Sequence, residues 1–142
     1  MRKLSMEELG RKSVEEVKQS EKTPVIVVLE NIRSAYNIGS VFRTADAFLV
    51  EAIYIIGYSA IPPHKEIKKT ALGAEDSVAW KHFATSAEAI IELRANGYNV
   101  YAVEQAEGSY KLNAIGFDIE EKIAVIFGNE VTGVEQSTIQ LT

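Results

Sequence analysis

The sequence predicts an α/β domain, a mostly parallel sheet with helices on both faces, and three observations carry the prediction. The runs Val25–Leu29 (VIVVL), Ala52–Ile56 (AIYII) and Ile123–Phe127 (IAVIF) are continuously apolar, as in strands buried on both faces of a parallel sheet. Segments of helical periodicity separate them, so strands and helices alternate. The chain has 142 residues, 46% of them hydrophobic, enough for one core and too few for two.

Taken in order, Ser5 and Glu8 have capping-box spacing, and Met6, Leu9, Val14 and Val17 recur at roughly helical intervals. An amphipathic leading helix up to Ser20 is expected, ended by Glu21–Pro24 before the first strand, Val25–Leu29. After a loop over Glu30–Tyr36, the residues Ile38, Val41, Phe42, Ala45, Phe48 and Leu49 share one helix face, with Asn37 placed as the cap. Ala52–Ile56 reads as the second strand, Ile61–His64 as a turn, Lys65–Leu72 as a short basic helix ending near Gly73, and Val78–Phe83 as a short third strand. Thr85 and Glu88 open a helix that turns Ala89, Ile90 and Leu93 inward and stops at Gly97. Tyr98–Val103 and Ile123–Phe127 complete the strands. Residues 1–22 are thus an N-terminal helix ahead of a domain over 23–142.

Composition narrows the chemistry. The chain lacks cysteine, and His64 and His82 alone make no convincing metal cluster; both read as structural residues. No stretch approaches the roughly 18–20 apolar residues of a membrane span, and MRKLSMEELGRKS has no apolar signal core, so a cytoplasmic location is expected. The net charge of -5 is uneven: residues 1–71 hold 11 Lys and Arg against 9 Asp and Glu, whereas the rest hold 4 against 11. A polyanion should therefore meet the first half.

In open α/β sheets ligands gather at the carboxyl ends of strands, so the loops after Leu29, Val103 and Phe127 are the candidates. They contain Asn31, Arg33, Asn37 and Gly39; Glu104, Gln105, Glu107 and Gly108; and Gly128, Asn129, Glu130, Thr132 and Gly133. None has the GxGxxG pattern, which counts against an ordinary dinucleotide-binding enzyme. Ser40, Arg43 and Ala47 lie opposite the apolar stripe of their helix, so Arg43 faces outward. With Arg33 it offers two guanidinium groups for phosphates near a helix N-terminus, where backbone N–H groups also favour anions. Each residue has a plainer reading: Asn37 a cap, Arg33 and Arg43 surface charges, Gly128, Asn129 and Gly133 turn formers, Glu130 a charge suiting a helix start. Lys65, Lys68 and Lys69 read as a solvated face or an RNA contact, and Tyr36 as packing or a base-stacking ring.

Residues 29–50, LENIRSAYNIGSVFRTADAFLV, resemble the first motif of the SpoU family of RNA methyltransferases, with N, R, N, G and RTADA at its spacing; Phe127–Gly133 resembles the second, a strand followed by FGNE and G. The resemblance covers about residues 23–138. It implies an α/β-knot (SPOUT) fold, a homodimer, S-adenosylmethionine as methyl donor and a ribose 2'-hydroxyl of tRNA or rRNA as acceptor. By position it makes Arg43 the catalytic arginine, with Asn37 and Glu130 as supporting active-site residues and Asn31 and Arg33 in the RNA-facing loop together with Arg43. It assigns the cofactor to Val103, Glu104 and Gln105 and to Phe127, Gly128, Asn129 and Glu130. The third motif, a proline-containing strand end and a Ser-Leu-Asn helix, would lie beyond Thr142, so the knot is expected to be incomplete in this chain. A ribose hydroxyl is a weak acid and needs in-line placement and help with its proton. Arginine side chains hold their own proton, so Arg43 is read as orienting the 2'-oxygen and stabilising its developing charge, while the resemblance gives it the proton itself. The alternative is a noncatalytic RNA-binding relative.

Overall fold

A computed structural model describes every residue except Met6 and Ile119. Its order is α1 (Val14–Gln19), β1 (Thr23–Glu30), α2 (Ala35–Ala47), β2 (Val50–Ile56), α3 (Lys65–Ala71), α4 (Ala74–Ser77), β3 (Trp80–Phe83), α5 (Ser86–Ala95), β4 (Asn99–Ala102), a 3-10 turn over Leu112–Ala114, β5 (Ile123–Phe127) and α6 (Gln136–Ile139). The five strands form one sheet ordered β3-β2-β1-β5-β4, and every pairing is parallel. The parallel α/β prediction holds. The continuous apolar runs are explained by cover on both faces: Ile38, Phe42, Ala45, Ile67 and Ala71 pack with Leu29, Ile53 and Ile55 on one side, and Ala89, Ile90 and Leu93 with Val28, Ile56 and Ile126 on the other.

The order of the strands positions the site. From β1 the chain winds outward through β2 to β3, then crosses to the far edge at β4 and returns to β5 beside β1. The connections from β1 and β5 therefore leave toward opposite faces, α2 joining the core of one and Val134 and Ile139 the core of the other. Their loops diverge and open a crevice at the carboxyl end of the two central strands.

Several local expectations change. The leading helix divides: Ser5 and Glu8 make their reciprocal bonds around one turn, Gly10 takes φ +57°, and Ser13 with Glu16 caps α1 afresh. Met6 falls outside the described residues. The cap of α2 is Ser34, whose Oγ accepts the Asn37 N–H, so Asn37 lies inside the first turn with its side chain free for another partner. The helix ends at Ala47 because Leu49 turns left-handed, and Phe48, expected on its buried face, is 70% exposed. Tyr98 and Val103 flank β4 rather than belonging to it, and α4 and α6 are short helices the periodicity did not show. His64 caps α3 by accepting the Glu66 N–H, and His82 pairs with the Gly57 carbonyl, both structural roles.

Gly39 permits the tight crossing of α2 and α3: a Cβ there would stand 2.1 Å from Thr70 Oγ1 and 2.3 Å from the Ile67 carbonyl oxygen. Thr70 uses that approach to donate to the Tyr36 carbonyl at 2.8 Å.

Candidate active site

At the crevice the β1 and β5 loops are bonded into one unit. Asn129 is buried and satisfied at both ends: its Oδ1 accepts from the N–H groups of Val131 (2.8 Å) and Thr132 (3.0 Å), and its Nδ2 donates to the Asn31 carbonyl (2.9 Å) and the Tyr58 hydroxyl (2.7 Å). The first pair shapes its own turn and the second ties that turn to the loops that follow β1 and β2. The backbones of Asn129 and Gly133 also exchange bonds of 3.0 and 2.8 Å. Gly128 makes this closure possible, because a Cβ would meet Gly133 C and Val134 N at 2.2 Å, backbone atoms that cannot turn aside.

Glu130 then reaches the start of α2. Its carboxylate accepts from the N–H groups of Arg33 (2.8 Å) and Ser34 (3.0 Å) and from Asn37 Nδ2 (2.9 Å). Desolvation pushes its pKa upward, but these donors outweigh it and hold the carboxyl at about 2, so it is ionised at neutral pH. The plain reading of Glu130 as a charge suiting a helix start is thus realised at α2, a helix far away in sequence. The N–H groups of Arg33 and Ser34, just ahead of the helix, are taken by this carboxylate and are not open to a phosphate.

Asn31 completes the rim. It sits at φ +52°, a conformation asparagine tolerates well, and its Nδ2 donates to Glu135 Oε1 at 2.7 Å. Gly57 has no room for a Cβ, which would lie 2.0 Å from Asn31 Oδ1. Beneath lies Glu30, 1% exposed, whose carboxylate accepts from the hydroxyls of Ser86 and Thr138 and, at 2.8 Å, from the Glu135 N–H. Among the described residues every buried side-chain nitrogen or oxygen has a partner, so the site is held in shape before any ligand arrives.

The expected cofactor residues are also brought together. Val103, Glu104 and Gln105 follow β4, and Phe127 ends its neighbour β5 with Gly128–Glu130 directly after it. Glu104 bridges them by accepting from Val134 N–H (2.9 Å) and Gln105 N–H (2.8 Å), and those bonds lower its pKa. Beside this bridge Phe127, on an inner strand, is 41% exposed, and Val103 and Val131 are exposed as well.

Arg43 stands apart. Six residues beyond Asn37, it is about 9 Å further along the helix; its guanidinium is 3.9 Å from Asp46. It lines a cleft of about 700 Å³ with Arg11, Lys12, Val17, Leu49 and Leu72, and among the described residues it makes no bond to the Asn129–Glu130 network. Sequence reasoning missed Glu30, Ser34, Tyr58 and Glu135. The charge of Glu30 at the end of an apolar run and the cap-forming type of Ser34 were the available signals; Tyr58 and Glu135 matter through contacts made across the chain.

The profile of the SpoU rRNA Methylase family matches residues 24–142. The chain is 28% identical over 135 residues to the tRNA (guanosine(18)-2'-O)-methyltransferase of Thermus thermophilus, covering 94% of this chain and 67% of that protein. Among solved structures it resembles an AdoMet-bound rRNA methyltransferase from Sinorhizobium meliloti, with TM-score 0.75 and 25% identity over 87% of this chain and 45% of that one. A TrmH/SpoU tRNA modifying enzyme of A. aeolicus has the same fold, with TM-score 0.74 and 20% identity over 89% and 63%. The chain thus spans about half to two thirds of the length of these proteins. The match runs from the first strand through the last helix, and the chain belongs to the SpoU rRNA Methylase family.

Proposed function

We propose that the chain carries the catalytic α/β portion of an RNA methyltransferase that moves a methyl group from S-adenosylmethionine to a ribose 2'-hydroxyl of tRNA or rRNA. The observation that carries this reading is the Asn31–Asn37–Asn129–Glu130 network at the crevice between β1 and β5, built from the two family motifs. The residues there fit the cofactor. Phe127, Val103 and Val131 leave apolar surface uncovered for a planar base, and the loops of Val103–Gln105 and Phe127–Glu130 supply backbone polar groups around it. When bound, S-adenosylmethionine supplies a sulfonium methyl open to nucleophilic attack.

The chain's own residues place the acceptor. Glu130 is too weak a base to take the ribose proton, since a useful base has a pKa near the working pH. It works as a positioning residue, holding the Arg33–Asn37 loop against the β5 turn. Asn31 and Arg33 face the RNA from that loop, and Arg43 orients the 2'-oxygen and stabilises its developing charge. Because Arg43 lies outside the network of its own chain, it meets the reacting oxygen across a homodimer, with the RNA bridging two copies. We place this chemistry in the cytoplasm; no described helix is long and apolar enough to cross a membrane.

Mass spectrometry of RNA nucleosides tests the reading. Deleting the gene should remove one 2'-O-methyl mark from tRNA or rRNA, restored by the wild-type gene and not by Arg43→Ala; an unchanged nucleoside profile overturns it. The distance of Arg43 from the network favours one other reading, a noncatalytic RNA-binding relative, which predicts RNA binding with no mark lost.

A further inference from the structure

Tyr58 follows β2 onto the same rim, and nothing in the roles assigned above uses its ring. The residue is 65% exposed, yet both of its ends are fixed. Its N–H donates to Asn31 Oδ1 at 3.4 Å and its hydroxyl accepts from Asn129 Nδ2 at 2.7 Å. An aromatic side chain gains by burying its faces, so a ring held rigidly in water is a surface awaiting a partner. Among the described residues no other ring or cation packs on it, whereas Tyr36 already has Lys69 Nζ 5.9 Å over its centroid.

We propose that Tyr58 is a stacking platform for an unpaired base of the RNA beside the ribose that is methylated, an inference that rests on the RNA methyltransferase reading above. Asn129, which anchors the hydroxyl, also anchors the β1 loop, so ring and acceptor site are fixed in one frame. The elements that flank it in sequence carry charge suited to a polyanion: α3, the next helix, has Lys65, Lys68 and Lys69 against Glu66, and the β1 loop has Arg33, while the rim carboxylates Glu130 and Glu135 are engaged by donors of that loop. A base stacks on such a ring whatever its identity, and little side-chain freedom is lost because the ring is already held. The ring belongs to the β2 side of the sheet, with β1 and β5 between it and the Val103–Gln105 loop, and its backbone N–H meets Asn31 of the loop assigned to the RNA; its hydroxyl touches the other cofactor loop only at Asn129, so a nucleobase of the RNA is its occupant rather than the adenine of S-adenosylmethionine.

The test compares Tyr58→Leu and Tyr58→Phe for retention of unfractionated tRNA and, separately, rRNA on filters, with S-adenosylmethionine binding followed by calorimetry. Stacking predicts that Leu weakens RNA binding by about 5- to 160-fold, the range of one base–aromatic stack. Phe should stay within about twofold of wild type, and the salt dependence of all three proteins should have one slope, because no phosphate contact is removed. If Tyr58 serves only to hold Asn129, Phe and Leu fail alike and the proposal falls. Equal RNA binding by the Leu variant also overturns it, as does a loss confined to S-adenosylmethionine. Wild-type protein that retains neither RNA overturns the RNA reading itself, a result distinct from the others.

Discussion

Glu130 shows how much one carboxylate can do without acting as a base. Three donors from the start of α2 converge on it, two of them backbone N–H groups that would otherwise need water. Its proton is bound less tightly in the folded chain, at about 2, than in the unfolded one, so the carboxylate stabilises the fold at pH values above the ordinary carboxylate range. That contribution is lost as pH falls from about 4.5 toward 2. The residue is exposed, so screening limits it to on the order of 1 kcal/mol. Denaturant melts from pH 5 to pH 2.5 should show Glu130→Gln losing less stability on acidification than wild type; parallel curves would mean the bonds count for nothing. The sequence exposed this residue as part of FGNE but not its partner. A carboxylate before a turn looks like a local cap, and only the pairing of β5 with β1 brings it to a helix almost a hundred residues earlier. Asn37 was misread for the matching reason: it satisfies the cap rule by type, but Ser34 sits one turn earlier and wins the position.

At the scale of elements, what was legible was what depends on local periodicity. β1, β2, β5, α2, α3 and α5 all follow from apolar spacing and caps, and their errors lie at the ends. The four-residue helices α4 and α6 were not legible, because fewer than two turns leave no period to read, and such helices persist by tertiary bonds. For α6 those bonds are visible: Thr138 donates to the buried Glu30, which also takes the Glu135 N–H. Glu30→Ala would strand the Ser86 and Thr138 hydroxyls and the Glu135 N–H together, and we expect a loss of about 2–4 kcal/mol. Hydrogen exchange should locate the damage, with the amides of α6 opening faster than those of α2. Uniform acceleration would mean that Glu30 supports the sheet as a whole rather than fastening α6.

The strand order, which follows from no single stretch of sequence, decides the behaviour of the whole molecule. It sets β1 beside β5 and so builds the crevice, but it also sends α2 away along one face, which leaves Arg43 in a different cleft from Glu130. Under the homodimer proposed above, a site that uses both is shared between copies, and sharing has a measurable signature. Two variants, Arg43→Ala and Phe127→Glu, remove the arginine and the proposed cofactor surface respectively; both positions are partly exposed, so neither change opens a core. Alone, each should lack methyl transfer. Co-expressed in equal amounts, half the dimers are mixed, and in a mixed dimer one of the two shared sites draws its intact arginine from one copy and its intact cofactor loop from the other. Activity should return to about a quarter of wild type per dimer. If arginine and loop act within one chain, every site in the mixed dimer carries a defect, and activity stays at background at every mixing ratio.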